Sequence, residues 1–288
     1  MPQPIYPPAG PQSIGQVLDS GFRIFKVSVV SCLLFGALSM IAGQLPNIYF
    51  VASGRPLTQF GGGSPLWLAL YLTGTLIGLT LVSALVFRQY GIATGQRLGT
   101  SVELSQALRR LPAYFGMMIL TMLVIGVGPG ILIGISIAAL RAGGSVGTYS
   151  LAVVLWLAAA VLLVYFMTPL SLCGPSLLLD RKGPLQAIKY AFRLVRGNWW
   201  RTTVILTVTV VLIVVFYTVA MVVVGIVLPL AGTRDVAAVT AATGVVLVVL
   251  GSLGLPFFTA MVLATFGELK VRKEGLDLEQ RVAGIAQA

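Results

Sequence analysis

Few side chains in this 288-residue chain are suited to acid–base or nucleophilic chemistry. The chain has no histidine and eight aspartates and glutamates, none of which lies in the middle of an apolar run. A Ser-His-Asp or Cys-His arrangement is therefore excluded, and a pair of catalytic carboxylates is not expected. Asp180 and Glu268 lie at the ends of apolar runs, where we expect them to cap helices or to pair with neighbours such as Arg181 and Lys270. The sequence predicts no catalytic residue and no enzymatic activity.

Metal and cofactor sites are not indicated either. Cys32 and Cys173 each lie inside an apolar run, and two thiols without histidine are too few ligands for zinc. The sequence GVGPG at residues 126–130 superficially resembles a phosphate-binding loop, but no Lys-Ser or Lys-Thr pair follows it, as a P-loop requires. We expect no metal and no cofactor.

A basic and aromatic segment at residues 189–201 is the best candidate for ligand binding. Its cations suit anionic lipid headgroups, because each cation near an anionic membrane surface contributes about 1 kcal/mol. Its indoles suit the membrane interface, where the ring lies in lipid and the N–H reaches water. Simple anchoring of the chain in the membrane is the alternative interpretation. The candidate headgroup ligands are Lys189, Arg193, Arg196, Trp199, Trp200 and Arg201.

The composition places these residues in a membrane protein. The chain is 57% hydrophobic and 9% charged, against roughly 25% charged residues in soluble domains, and its mean hydropathy is +0.98. The net charge of +11 comes from basic residues spread between apolar runs, and no nucleic-acid recognition module accompanies them. We expect membrane lipids as partners, with a membrane-protein partner or homo-oligomerisation in addition, and no nucleic acid.

Six apolar runs are long enough to cross a bilayer, whose hydrocarbon core of about 30 Å needs about 20 helical residues. Glycine and proline are expected to interrupt the third run at residues 126–130, the fourth at Pro169 and residues 174–175, and the sixth at Pro256. The predicted spans are residues 27–45, 65–87, 113–140, 151–179, 202–230 and 236–266.

A short amphipathic helix is predicted before every second span. Projection of residues 185–196 at about 100° per residue places the cations on one arc and the apolar side chains on the other. Residues 16–26 and 106–111 have a related pattern. We therefore predict an all-α integral membrane fold, with six transmembrane helices arranged as three repeats of an interfacial helix plus a transmembrane hairpin. The predicted boundaries are a disordered Pro-rich tail at 1–12, a membrane domain at 13–268 with repeats at about 13–95, 101–180 and 183–268, and a cytoplasmic tail at 269–288.

The distribution of basic residues predicts the topology. All of the 19 lysines and arginines except Arg55, Arg141 and Arg234 lie in one alternate set of loops and termini, and such a bias marks the cytoplasmic side. An even number of spans then places both termini in the cytoplasm. The expected location is the cytoplasmic (inner) membrane of a bacterium.

Two prolines at similar positions in the second and third repeats, Pro169 and Pro256, lead to a hypothesis about a polar cavity. Each removes a backbone hydrogen bond, and in lipid the freed carbonyl must find a partner in protein or water. A kink that is satisfied locally is the alternative. The cavity candidates, which combine these prolines with nearby hydroxyls, are Thr168, Pro169, Ser171, Pro256 and Thr259.

One segment resembles a known family. PLSLCGP at residues 169–175, followed by GNWW at 197–200 and matched by SIGQVLDSGFR at 13–23, is similar to the membrane domain attached to some bacterial glycerophosphodiester phosphodiesterases and to its stand-alone relatives. The resemblance implies a multi-span membrane module. It does not extend to the TIM-barrel phosphodiesterase domain, which uses histidines and acidic metal ligands and for which the six predicted spans leave no room.

The predicted function is that of a non-enzymatic polytopic membrane protein that binds phospholipid or organises the membrane as a scaffold. The alternative is a transporter or channel for a small amphiphile, with a path through the interrupted spans 3, 4 and 6. Proton-coupled transport usually needs an ionisable group deep in the bundle. Only Arg88 or Arg141, if drawn inward, could supply one.

Overall fold

The computed structural model describes residues 5–53, 64–96, 98–143, 145–230 and 236–275. Within these ranges the fold is all-helical, with no strand. Within these ranges six stretches are long and apolar enough to span a membrane, with mean hydropathy from 2.0 to 2.8. The predicted all-α fold with six membrane-spanning helices is thereby confirmed. The helices of the described residues are α1 (Ile14–Gly43), α2 (Leu45–Ser53), α3 (Pro65–Ala93), α4 (Thr100–Ala142), α5 (Val146–Leu170), α6 (Cys173–Leu178), α7 (Pro184–Val195), α8 (Trp199–Leu230) and α9 (Val236–Glu274).

Three of the four predicted interruptions are absent, since α6 also continues through residues 174–175. α4 continues through residues 126–130 and contains Pro112 and Pro129, and α9 continues through Pro256 to Glu274. The hypothesis that Pro256 breaks its helix is therefore wrong. A helix surrounded by lipid keeps its backbone hydrogen bonds inside the segment, so losing one bond at a proline costs less than exposing a whole broken turn.

The fourth span does contain a break. α5 ends at Leu170, directly after Pro169, and α6 begins at Cys173. Ser171 stabilises the end of α5 by donating its hydroxyl to the Thr168 carbonyl at 2.8 Å. The break confirms the interruption that the proline predicted at this point of the chain.

The amphipathic segments do not all form separate helices. Residues 184–195 form the independent helix α7. Residues 16–26 instead form the first turns of α1, and residues 106–111 lie within α4. No helix-ending residue separates these two segments from the spans that follow, whereas Gly197, with φ of 87°, ends the segment that contains α7. The prediction of a separate interfacial helix before spans 1 and 3 is therefore wrong.

The chain divides into two compact units. Unit 1 comprises Met1–Leu111 with Ile205–Ala288, and unit 2 comprises Pro112–Val204. In unit 1, α1 packs against α3 and α9, and glycines allow the backbones to approach closely. A Cβ on Gly36 would lie 2.7 Å from the carbonyl oxygen of Ser252. This carbonyl lacks its usual helical donor, because Pro256, four residues later, has no N–H. A Cβ on Gly74 would collide with the Ala42 carbonyl oxygen.

The N-terminal segment packs against unit 1, at residues where a disordered tail was expected. The backbone N–H groups of Ile5 and Tyr6 donate to the Ala93 carbonyl at 2.9 and 3.1 Å. The Tyr6 ring is buried, and it meets Tyr90 edge-on with 5.3 Å between the ring centroids. Gly267 leaves room for this ring, since a Cβ there would collide with it. The expectation of disorder is thus wrong for residues 5–12. Residues 1–4 of that predicted tail lie outside the described residues.

The C-terminal end of α9 extends into the predicted cytoplasmic tail. The helix reaches Glu274, and Arg272 pairs with Glu268 one turn earlier at 2.8 Å. Arg272 also donates to the Gln12 carbonyl at 3.2 Å. Residues 276–288 of the tail, Arg55 and Arg234 lie outside the described residues.

Candidate lipid-binding surface

Residues at both ends of α7, which lies in unit 2, determine where this helix begins and ends. Gly183 is the N-cap residue, and Pro184 occupies the first turn, where its missing N–H has no helical partner to lose. The buried Ser176 of α6 stabilises the position of α7, because its hydroxyl donates a hydrogen bond to the Ala187 carbonyl at 3.3 Å. Gly197 then turns the chain toward α8.

The two faces of α7 differ sharply in exposure. The predicted headgroup ligands Lys189, Arg193 and Arg196 are all exposed. On the opposite face, Phe192 is half-buried and its ring lies 6.2 Å from that of Phe166. The fully covered side chains of this face are Ala187, Ile188, Ala191, Leu194 and Val195. The helix therefore presents three cations outward from an apolar attachment.

Trp199, Trp200 and Arg201 follow in the first turn of α8. Trp199 is fixed in place, because its indole N–H donates to the Tyr165 carbonyl at 3.3 Å and its ring lies 5.7 Å from the Tyr165 ring. Trp200 is 71% exposed and touches Trp199 at 5.8 Å between ring centroids. Arg201 is half-buried. Trp200 is thus the residue of this group that projects away from the protein.

Lys182, which was not a candidate, lies at the start of the same segment. Its ammonium group lies 2.8 Å from the centroid of the Tyr190 ring and 3.1 Å from the Asp180 carboxylate. The Lys182 ammonium is thus bound by groups of the protein, whereas Lys189, Arg193 and Arg196 are exposed. The sequence offered one signal, the two-residue spacing from Asp180.

The cavity candidates fall in both units, and their hydroxyls make hydrogen bonds with protein groups. In unit 2, the Thr168 hydroxyl lies 2.9 Å from the Thr203 hydroxyl and 3.0 Å from the Val164 carbonyl, and Pro169 is buried beside it. In unit 1, Thr259 donates within its own helix, 3.0 Å from the Leu255 carbonyl. The Tyr165 carbonyl, four residues before Pro169 and therefore without a helical donor, accepts the Trp199 indole N–H at 3.3 Å. These contacts favour a kink at Pro169 that is satisfied by protein groups.

The Pro256 carbonyl has a partner that sequence reasoning missed. Gln89, fully buried on α3, donates its side-chain amide to this carbonyl at 2.7 Å. The same amide lies 3.4 Å from the Ser28 hydroxyl of α1. A glutamine next to Arg88, just beyond the predicted second span, gives little sequence signal, because its hydrogen bonds depend on neighbours that the fold supplies.

A buried ion pair is a second feature that the sequence only hinted at. Arg88 donates its Nε to Glu103 at 2.8 Å and binds the Ser31 carbonyl and the Thr100 hydroxyl at 2.9 and 2.6 Å. Its guanidinium also lies 4.3 Å from the centroid of the Phe35 ring. Arg88 is therefore the cation drawn inward, and its contacts attach the start of α4 to α1 and α3.

Comparison with protein-family models, with curated proteins and with solved structures finds no match for this chain. The likeness to the phosphodiesterase membrane domain remains a sequence-based hypothesis. Among the described residues, no three histidine, cysteine, aspartate or glutamate side chains are grouped as a metal site would require. What the fold defines is a class of protein, a polytopic α-helical membrane protein.

Proposed function

We propose that the protein is a non-enzymatic phospholipid-binding protein that organises the membrane through α7. The observation that supports the proposal is the opposition of the two faces of this helix. Its apolar side is attached to the protein, while Lys189, Arg193 and Arg196 are exposed. Three exposed cations beside an exposed indole suit the interface of an anionic membrane, where the phosphates bind the cations and the indole lies at headgroup depth.

The lipid interpretation is favoured over transport. The transporter alternative depended on breaks in spans 3, 4 and 6, and two of the corresponding helices, α4 and α9, are continuous. A path for an amphiphile would therefore depend on the α5–α6 break alone. The hydroxyls next to that break make hydrogen bonds within the protein.

The experiment compares two variants with the same change in net charge. One carries Lys189→Gln, Arg193→Gln and Arg196→Gln. The control carries Arg109→Gln, Arg141→Gln and Lys273→Gln, which are also exposed cations but lie outside α7. Each protein is reconstituted into phosphatidylcholine vesicles that contain a spin-labelled phosphatidylglycerol, and the immobilised lipid fraction is measured by electron paramagnetic resonance.

We expect the α7 variant to lose its preference for phosphatidylglycerol, on the order of fivefold for each cation removed, since about 1 kcal/mol per cation corresponds to that factor. The control is expected to retain most of the preference. Equal losses in both variants would assign the effect to net charge, and unchanged binding in the α7 variant would refute the proposal.

The bacterial inner membrane and cytoplasmic termini belong to the same proposal. α7 can bind cytoplasmic anionic lipid only if the loop before it is on that side. In a protein lacking Cys32 and Cys173, a cysteine at Lys182 is expected to resist an impermeant maleimide added to intact cells. A cysteine at Gly62, which lies outside the described residues, is expected to react. Reaction at Lys182 would place α7 on the wrong face.

A further inference from the structure

Unit 1 contains an apolar cavity of about 590 Å³ between α1, α8 and α9. Phe257 of α9 forms one wall and meets two rings of α1, Phe22 at 5.3 Å and Phe25 at 5.4 Å. Gly254 widens the cavity beside Tyr217, because it places no side chain there. The volume falls within the roughly 300–1,000 Å³ of small-molecule sites.

The cavity lies among helices that the surrounding lipid covers. From residue 210 to residue 226 of α8 no side chain is buried, although most of them are apolar. Ile213, in this exposed half of α8, lines the cavity, as does Leu253 of α9, which is 42% exposed. This cavity is therefore an open groove whose walls border the acyl chains of the bilayer. The apolar molecules next to the groove are acyl chains, so an acyl chain is the expected occupant.

A cation flanks the groove on α1. Lys26 lies four residues after Phe22 and three before Val29, and this spacing places it on the helix face that carries both groove residues. Lys26 is exposed, and it makes no ion pair with any residue in the described part of the chain. Arg23 is also exposed, but the oppositely charged Asp19 lies four residues before it on the helix.

We propose that this groove binds one acyl chain of an anionic phospholipid, with the phosphate of the headgroup against Lys26. Leaving bulk lipid for an apolar groove gives no hydrophobic gain, because lipid chains are as apolar as the groove. Binding then depends on dispersion contacts within the groove and on the charge of the headgroup. The groove is a separate site from α7. The protein would therefore bind this lipid in addition to the lipid proposed at α7.

The test uses the full chain in dodecyl maltoside and native mass spectrometry, with phosphatidylglycerol or phosphatidylcholine of identical acyl chains as the probe. All variants carry the three α7 glutamine substitutions, so that a failure of the surface proposal leaves this result unaffected. Ile213→Trp fills the groove, and Val214→Trp, on an exposed neighbour outside it, is the matched control. Lys26→Gln removes the cation, and Arg109→Gln is its control.

We expect Ile213→Trp to abolish the tightest binding of both lipids, and Val214→Trp to preserve it. Lys26→Gln is expected to weaken phosphatidylglycerol about fivefold and to leave phosphatidylcholine unchanged. If Ile213→Trp fails to fold, Leu253→Trp fills the same groove from α9. Wild-type binding in the folded groove variants, or equal loss of both lipids in Lys26→Gln, would overturn the proposal.

Discussion

The two compact units use different means to hold membrane helices together. In the most apolar windows of α1, α3 and α9, all in unit 1, 33% to 44% of the residues are buried within the protein. The share is 6% in α4, most of which lies in unit 2, and also 6% in α8, most of which lies in unit 1. Unit 1 combines glycines at backbone contacts with buried polar groups such as Gln89. Because lipid is as apolar as leucine, close packing and hydrogen bonds stabilise helix contacts here. The packing of α1, α3 and α9 in unit 1 is therefore expected to be the more sensitive to substitution.

The largest expected effect is at the ion pair between Arg88 and Glu103 in unit 1. Glu103 is 2% exposed, and its change to alanine would leave the Arg88 guanidinium without the carboxylate that it binds. Removal of one partner from a buried pair costs about 3–5 kcal/mol. We expect a loss of this size in the free energy of unfolding, measured in mixed micelles of dodecyl maltoside and dodecyl sulfate.

The Lys182–Asp180 ion pair in unit 2 provides the comparison. Lys182 and Asp180 are 3.1 Å apart, with side chains 27% and 16% exposed, and Asp180→Ala is expected to cost about 0–1 kcal/mol because solvent screens the pair. The double variant Arg88→Leu/Glu103→Leu should regain part of the Glu103→Ala loss, since no unpaired charge then remains. Equal losses for Glu103→Ala and Asp180→Ala would contradict the contrast between the units.

A smaller effect is expected at the glycine contacts. Gly36→Ala places a methyl group 2.7 Å from the Ser252 carbonyl oxygen, so α1 and α9 must separate, at a cost of about 1–3 kcal/mol. Gly126→Ala in α4 is the control, because no atom lies within 4 Å of the added carbon. Thermal unfolding in detergent should show a lower midpoint for the first variant and no loss for the second. Similar midpoints would show that close approach is unimportant in unit 1.

The sequence was sufficient to predict the spans, because they depend on lipid and on local composition. Long apolar runs must be helical in a membrane whatever their neighbours, and α3 begins at Pro65, where the apolar run begins. The exposed cations of α7 also follow helical spacing, which is a local property. Such features need no knowledge of packing.

The sequence was insufficient where an outcome depends on another helix. Pro256 predicts a break when it is considered alone, yet α9 continues, with Gln89 bound to the Pro256 carbonyl and Gly36 against the Ser252 carbonyl. Tyr6 belongs to a proline-rich segment that suggests disorder, and its burial requires Tyr90 and Gly267. In both cases, residues distant in sequence determine the structure.

The smallest expected effect is at the hydroxyl pair of unit 2, Thr168 and Thr203, which lies 2.9 Å apart. Thr203→Val keeps the shape of the side chain and removes one hydroxyl. Thr168 then retains its bond to the Val164 carbonyl at 3.0 Å, so the expected loss is about 0.5 kcal/mol, the lower end of the range for a hydrogen bond. A double-mutant cycle with Thr168→Val should give a coupling energy of similar size.

The same site distinguishes a locally satisfied kink from the polar cavity suggested by the sequence. Thr168 is 4% exposed, so a cysteine introduced there, in a protein lacking Cys32 and Cys173, is expected to react slowly with a water-soluble maleimide. A cysteine at the exposed Ser150 of α5 is the reactive control. If the cysteine at position 168 reacted as fast as the one at 150, water would reach the α5–α6 break. Unit 2 would then hold its helices around a hydrated cavity rather than by the Thr168–Thr203 contact.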